Sequence, residues 1–219
     1  MSGLAKGRIA GCLIAAASLV ASVYLTNQAI KRHAEFRSWI SARPFETTID
    51  LSGPGEWTVP FQQTCSVSHG EGIFLASPPS FSRDTVVEEI LGDLTGSVFV
   101  FDENGDEIAH TIIDGSDATS WRDSGDIRLS GLYPFSKGEY VARITIDTGS
   151  PALSDTNQTI YAAYDLCGLE MLPAQISAFG AFGFGITALI AAACVIPGFI
   201  RYGLRSPTVI EQREESEFE

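Results

Sequence analysis

Residues Ile176 to Ile200 form a run of 25 without one charged side chain. As a helix at 1.5 Å per residue the run spans roughly 37 Å, more than the ~30 Å hydrocarbon core of a bilayer. Core helices of soluble proteins seldom run so long without a charge, so the segment reads as a transmembrane helix. It opens after Pro173 and closes at Pro197-Gly198, ahead of Arg201 and Arg205. A second uncharged run covers the 22 residues from Ile9 to Ile30, bounded by Lys6 and Arg8 before and by Lys31, Arg32 and His33 after. Its length favours a retained signal-anchor over a cleavable signal peptide, for which Val20-Ala21-Ser22 would supply the small residues at the cut. Ile9-Ala10-Gly11-Cys12 resembles a lipobox, but it precedes most of the apolar run, which argues against lipidation at Cys12.

Both runs carry small residues at four-residue spacing. Ser177, Ala181 and Gly185 do so in the second, beside Gly180 and Gly183; Gly7, Gly11 and Ala15 do so near the start of the first. Small residues at that spacing let helix backbones approach closely, which drives association where lipid offers no hydrophobic gain. The expected contacts are between the two helices, with a partner's membrane helix, or with a second copy.

The chain is acidic, with 14 Lys+Arg against 27 Asp+Glu, but unevenly so. Residues 34–172 hold 7 basic and 22 acidic side chains; the remainder holds 7 basic and 5 acidic. A middle region this negative repels phosphate, so nucleic-acid binding is not expected. The segments expected are a cytoplasmic N-terminus over 1–8, membrane helices over 9–30 and 176–200, a soluble domain over 34–172, and an acidic cytoplasmic tail over 201–219. Positive charges flanking the two helices tie between the two sides. The second helix breaks the tie, because it has Arg201 and Arg205 after it and no Lys or Arg in the preceding thirty residues. The middle domain is therefore expected outside the cytoplasm. Of four cysteines, Cys12 and Cys194 fall in the apolar runs, leaving Cys65 and Cys167, which in an exported domain are expected to form a disulfide.

The middle region reads as β-structure. Gly53-Pro54-Gly55, Asn104-Gly105, Gly115, Gly125, Gly138 and Gly149-Ser150-Pro151 punctuate it. Between breaks the apolar residues alternate: Ala142, Ile144 and Ile146 share one face of Val141–Asp147, and Ile160, Ala162, Tyr164 and Leu166 one face of Gln158–Leu166. That period predicts antiparallel strands covering a core on one side. Val98–Phe101 and Ile108–Ile113 flank Asn104-Gly105, the strongest short-range hairpin signal. Seven or eight strands are expected, at the spacing of a sandwich, with Thr85–Leu94 open to a short helix instead.

Gly96-Ser97-Val98-Phe99-Val100-Phe101-Asp102-Glu103-Asn104-Gly105-Asp106-Glu107-Ile108-Ala109, followed by Lys137-Gly138-Glu139-Tyr140-Val141-Ala142-Arg143-Ile144, resembles the bacterial pre-peptidase C-terminal domain pattern. The likeness covers about fifty residues. It implies a jelly-roll-like β-sandwich serving as a non-catalytic accessory or binding module, and it transfers no site residues.

Asp102-x-Asn104-x-Asp106 has the first three ligand spacings of a calcium loop. Glu107 stands where an EF-hand needs Gly, and Ile113 where it needs Glu, so an EF-hand is excluded. Asp114, Asp117, Asp123 and Asp126 surround Trp121 and make a second acidic stretch. Together these loops are the candidate site for a cation or sugar, although Asp-rich loops are commonly only solvated turns. Cys65-x₃-His69 with His110 and Cys167 could supply four zinc ligands, but the disulfide accounts for both cysteines more simply. No Gly-x-Ser-x-Gly elbow, His-Glu-x-x-His or phosphate loop occurs. The expectation is a two-span membrane protein with an exported all-β sandwich, using no cofactor. Its expected role is that of an accessory or structural subunit contacting a membrane-protein partner or a second copy. The alternative is a cation- or carbohydrate-binding module, and an extracytoplasmic enzyme has no motif in its favour.

Overall fold

A computed structural model of the chain describes residues 3–65, 67–76, 87–120, 125–154 and 157–202. The chain divides into two compact units, one of residues 36–170 and one combining 1–35 with 171–219.

Among the described residues, the second of these is built from the 3–35 part of helix α1 (Gly3–Ser41) and from helix α3 (Leu172–Tyr202). Both pass the length and hydropathy expected of a membrane span. Pro173 sits in the first turn of α3, where a missing N–H costs nothing, whereas Pro197 lies inside the helix. Within this unit the helices are antiparallel. Gly11 faces Val195, Ser22 Oγ donates to the Ala181 carbonyl at 2.8 Å, and Gly180 faces Leu25. α1 does not stop with the apolar run at Ile30 but continues to Ser41, so the β-structure begins later than residue 34.

The other unit contains two antiparallel sheets. The strands are β1 (Glu46–Ile49), β2 (Gly55–Gln63), β3 (Glu71–Leu75), β4 (Thr95–Phe101), β5 (Glu107–Asp114), β6 (Thr119–Ser120), β7 (Ile127–Leu132), β8 (Gly138–Thr148) and β9 (Gln158–Tyr164). One sheet has the order β1-β9-β3-β7-β6 and the other β2-β8-β4-β5. Among the described strands, only β4–β5 and β6–β7 are consecutive neighbours in one sheet; the other consecutive pairs lie in different sheets. A single core lies between them, with Ile73, Leu75, Ile160 and Ala162 from the first sheet meeting Phe61, Val98, Val100, Ile144 and Ile146 from the second. Ala142, Ile144 and Ile146 are buried as their alternation requires. β9 departs from the one-sided pattern. Tyr161 and Ala163 on its other face are also buried, with Tyr161 stacked on Phe74 at 5.5 Å and Arg43 over its ring at 4.2 Å.

The β4–β5 hairpin turns at Asn104-Gly105, with Gly105 at φ +84°. The described part of Thr85–Leu94 contains a short helix, α2 (Val87–Leu91). It docks on the turn at Gly115, whose N–H donates to the Leu94 carbonyl at 2.7 Å. A Cβ at Gly115 would overlap the Leu91 carbonyl oxygen, so the turn admits only glycine.

Candidate functional site

β3 and β9 are adjacent and antiparallel, with Glu71 opposite Tyr164. The residues just before β3 therefore lie beside those just after β9. Two backbone hydrogen bonds extend the pairing, His69 N–H to the Asp165 carbonyl (3.0 Å) and Asp165 N–H to the Gly70 carbonyl (2.9 Å). Gly70 and Gly168 take φ of +138° and +88°, the left-handed conformations that let both segments turn here.

The result is a cluster of His69, Cys167 and Glu170, whose donor atoms all lie within 4.8 Å of one another. His69 Nε2 is 2.9 Å from Cys167 Sγ and 3.7 Å from Glu170 Oε1, and Cys167 Sγ is 3.7 Å from that same oxygen. The Glu170 side chain is only 3% exposed, while that of His69 is 61% exposed. Burial pushes the Glu170 carboxyl up, but backbone N–H groups at Glu170, Cys167 and Gly168, together with His69, outweigh it and hold the group below its ordinary value. Gly168 N–H donates to Oε2 at 2.8 Å and Cys167 N–H to Oε1 at 3.3 Å.

An open cavity of about 540 Å³ lies alongside, lined by Phe36, Ile40, His69, Arg128, Tyr164 and Cys167 among others. Arg128 Nη2 pairs with Asp165 Oδ2 at 2.6 Å on its wall. Tyr164 ties in the preceding loop, its hydroxyl accepting from Thr64 N–H at 2.7 Å and Cys65 N–H at 3.3 Å. Beneath, Glu71 is fully buried and accepts from Gln63 Nε2 (2.6 Å) and Ser68 Oγ (3.0 Å). Burial raises its pKa from 4.5 to about 7 against those two hydrogen bonds.

The expected disulfide is not formed. Cys65 and Cys167 are both free thiols. Cys65 is buried, which raises its pKa, and lies among the Val67 and Ser68 backbone groups, whereas the Cys167 sulfur turns outward to His69 and Glu170. Of the four zinc candidates weighed from spacing, only His69 and Cys167 meet. His110 is on β5, bonded to Glu107 Oε1 at 2.7 Å and packed on Phe99. Glu170 was missed because its only sequence signal is a Cys-x₂-Glu spacing.

The acidic loops do not converge in the same way. Asp102 Oδ1 accepts from the N–H groups of Asn104 and Asp106, each at 2.9 Å, which lowers its pKa. Asp106 itself is exposed at the hairpin tip. Asp114 caps the turn Gly115–Asp117 through Ser116, and those bonds lower its pKa likewise. Asp114 and Asp117 line a cavity of about 310 Å³. Asp126 accepts from the Tyr161 hydroxyl at 2.6 Å. Trp121 and Asp123 lie outside the described residues, as does the tail beyond Tyr202.

In the helical unit, Ser18, Ser177, Ala181 and Ala188 are buried, and Gly11, Ala15 and Gly185 partly so. Ser22 Oγ lies 3.3 Å from where a Gly185 Cβ would stand. Ser177 Oγ bonds back to the Pro173 carbonyl at 2.8 Å within its own helix. Gly7 has open space around it.

No family model matches the chain, and no curated protein matches it. It is similar to the crystal structure of a protein from Sulfurospirillum deleyianum, with a TM-score of 0.43 and 10% identity, over 57% of this chain and 99% of that one. A likeness at that level carries no argument about fold or activity. None of these comparisons bears on the resemblance to pre-peptidase C-terminal domains.

Proposed function

We propose that this chain is a membrane-anchored accessory or structural subunit. In this reading α1 and α3 cross the bilayer as an antiparallel pair, the C-terminus is cytoplasmic, and the acidic β-domain contacts a partner protein outside. The observation that carries it is the division of the helix surfaces. Small and hydroxyl side chains (Gly11, Ser18, Ser22, Ala181, Ala188) lie on the mutual faces, while Leu13, Ile14, Leu19, Val20, Phe179, Phe182, Leu189 and Ile190 point outward and are exposed. An apolar surface of that extent suits lipid tails and not water.

The strand order supports the finer reading of the domain as a jelly roll. β1, β9, β3 and β7 oppose β2, β8, β4 and β5, so that strands from the start and end of the domain alternate in each sheet. The alternative, a cation or sugar site in the Asp102–Asp126 loops, draws no support from carboxylates already engaged, Asp102 and Asp114 by their own turns and Asp126 by the Tyr161 hydroxyl.

The test is purification from the native membrane in mild detergent, with mass spectrometry of co-eluting proteins. A stoichiometric companion that survives salt washing is expected. A chain that elutes alone, as monomer or homo-oligomer, would overturn the role as a subunit of a larger assembly.

A further inference from the structure

We propose that His69, Cys167 and Glu170 form a binding site for a divalent cation of the zinc class, with three protein donors and an open fourth position. The inference is independent of the membrane role.

Three features of the geometry carry it. The first is convergence. A tetrahedral zinc ion bound by sulfur at about 2.3 Å and by nitrogen and oxygen at about 2.0–2.2 Å sets its ligands roughly 3.4–3.6 Å apart. The nitrogen–oxygen and sulfur–oxygen separations, both 3.7 Å, already stand near that figure. The nitrogen–sulfur separation of 2.9 Å must widen, and the His69 side chain, 61% exposed, has room to move.

The second is direction. A Cys–His nucleophile activated by an acid places the acid on the imidazole nitrogen remote from the sulfur, where it fixes the tautomer. Here Glu170 and Cys167 both approach the same atom, His69 Nε2. Three donors directed at one point describe a coordination centre and not a proton relay.

The third is chemistry and preorganisation. One thiolate and one carboxylate neutralise a divalent charge, and an imidazole completes a mixed sulfur, nitrogen and oxygen set. Calcium and magnesium take oxygen ligands, whereas zinc takes this set. Glu170 is held by the N–H groups of Cys167 and Gly168, the kind of outer support that orients a metal ligand. His69 and Cys167 also line the 540 Å³ cavity, so the fourth position opens toward space large enough for water or a small ligand.

The full chain, purified in detergent and stripped with chelator, is titrated with Co²⁺. One Co²⁺ per chain is expected, with a thiolate-to-cobalt charge-transfer band that Zn²⁺ abolishes on displacement. Cys167→Ser removes the band, and His69→Gln and Glu170→Gln each weaken Co²⁺ binding by about tenfold or more. Cys65→Ala retains the band, which assigns it to Cys167. Absence of the band from protein that retains its thermal transition would overturn the site, as would a band that survives Cys167→Ser. A second readout is the alkylation rate of Cys167, followed by peptide mapping. Zinc is expected to slow it at least tenfold, and a rate unchanged by zinc would overturn the proposal.

Discussion

Gln63 and Glu71 are joined at 2.6 Å in the core of the β-domain, yet each keeps one buried oxygen, Gln63 Oε1 and Glu71 Oε2, with no hydrogen-bond partner. Two buried acceptors without a donor are costly, and a proton on Glu71 supplies the missing donor. That fits a carboxyl pushed by burial to about 7. Because the folded value lies above the ordinary 4.5, this group stabilises most below that pH. Its contribution is lost as pH rises through 7, a change of about 3 kcal/mol. Glu71→Gln removes the charge and keeps the shape. Its melting temperature relative to the natural protein is expected to be higher at pH 8 than at pH 5. Parallel melting curves across that range would contradict the assignment.

Tyr164 performs a related task at the edge of the cavity, where its hydroxyl satisfies the backbone N–H groups of Thr64 and Cys65. Tyr164→Phe leaves the ring and orphans both donors. The expected loss is about 1–3 kcal/mol in chemical unfolding of the β-domain. A loss below 0.5 kcal/mol, taken as roughly the scatter of surface substitutions, would mean that water replaces the hydroxyl.

The helix pair makes a prediction that separates two glycines of one stripe. A Cβ at Gly11 would overlap Val195 Cγ2, while one at Gly7 meets nothing within 4 Å. Gly11→Leu is expected to lower the SDS fraction at which the helices separate in mixed micelles, and Gly7→Leu to leave it unchanged. Ser22→Ala, which deletes the bond to the Ala181 carbonyl, is expected to cost about 0.6 kcal/mol. Equal effects of the two leucine substitutions would place the contact elsewhere.

The cysteines give a direct chemical check. With all four thiols free, alkylation of the denatured, unreduced protein is expected to add four groups to its mass. Addition of only two would mean that a disulfide forms.

What the sequence made legible follows from local chemistry. The uncharged runs and Asn104-Gly105 needed no distant partner to be read, since length, hydropathy and turn geometry act within a few residues. Ala142, Ile144 and Ile146 were readable because β8 buries a single face. β9 was harder, because the stacking of Tyr161 on Phe74 depends on a neighbour in the sheet and hides the alternation. The His69, Cys167 and Glu170 cluster was illegible for the same reason. It exists only because β3 pairs with β9, a register that joins residues about a hundred apart. Without that pairing, Cys65 and Cys167 look like the natural couple.

The proposed topology holds the chain in the membrane with its β-domain outside the cytoplasm. Glu103 is exposed near the tip of the β4–β5 hairpin, so Glu103→Cys combined with Cys167→Ser offers a single accessible thiol in that domain beside the buried Cys65. The measurement is its labelling by a membrane-impermeant maleimide in sealed right-side-out and inverted vesicles. Labelling in right-side-out vesicles and protection in inverted ones are expected. Labelling confined to inverted vesicles would put the domain in the cytoplasm and contradict that topology.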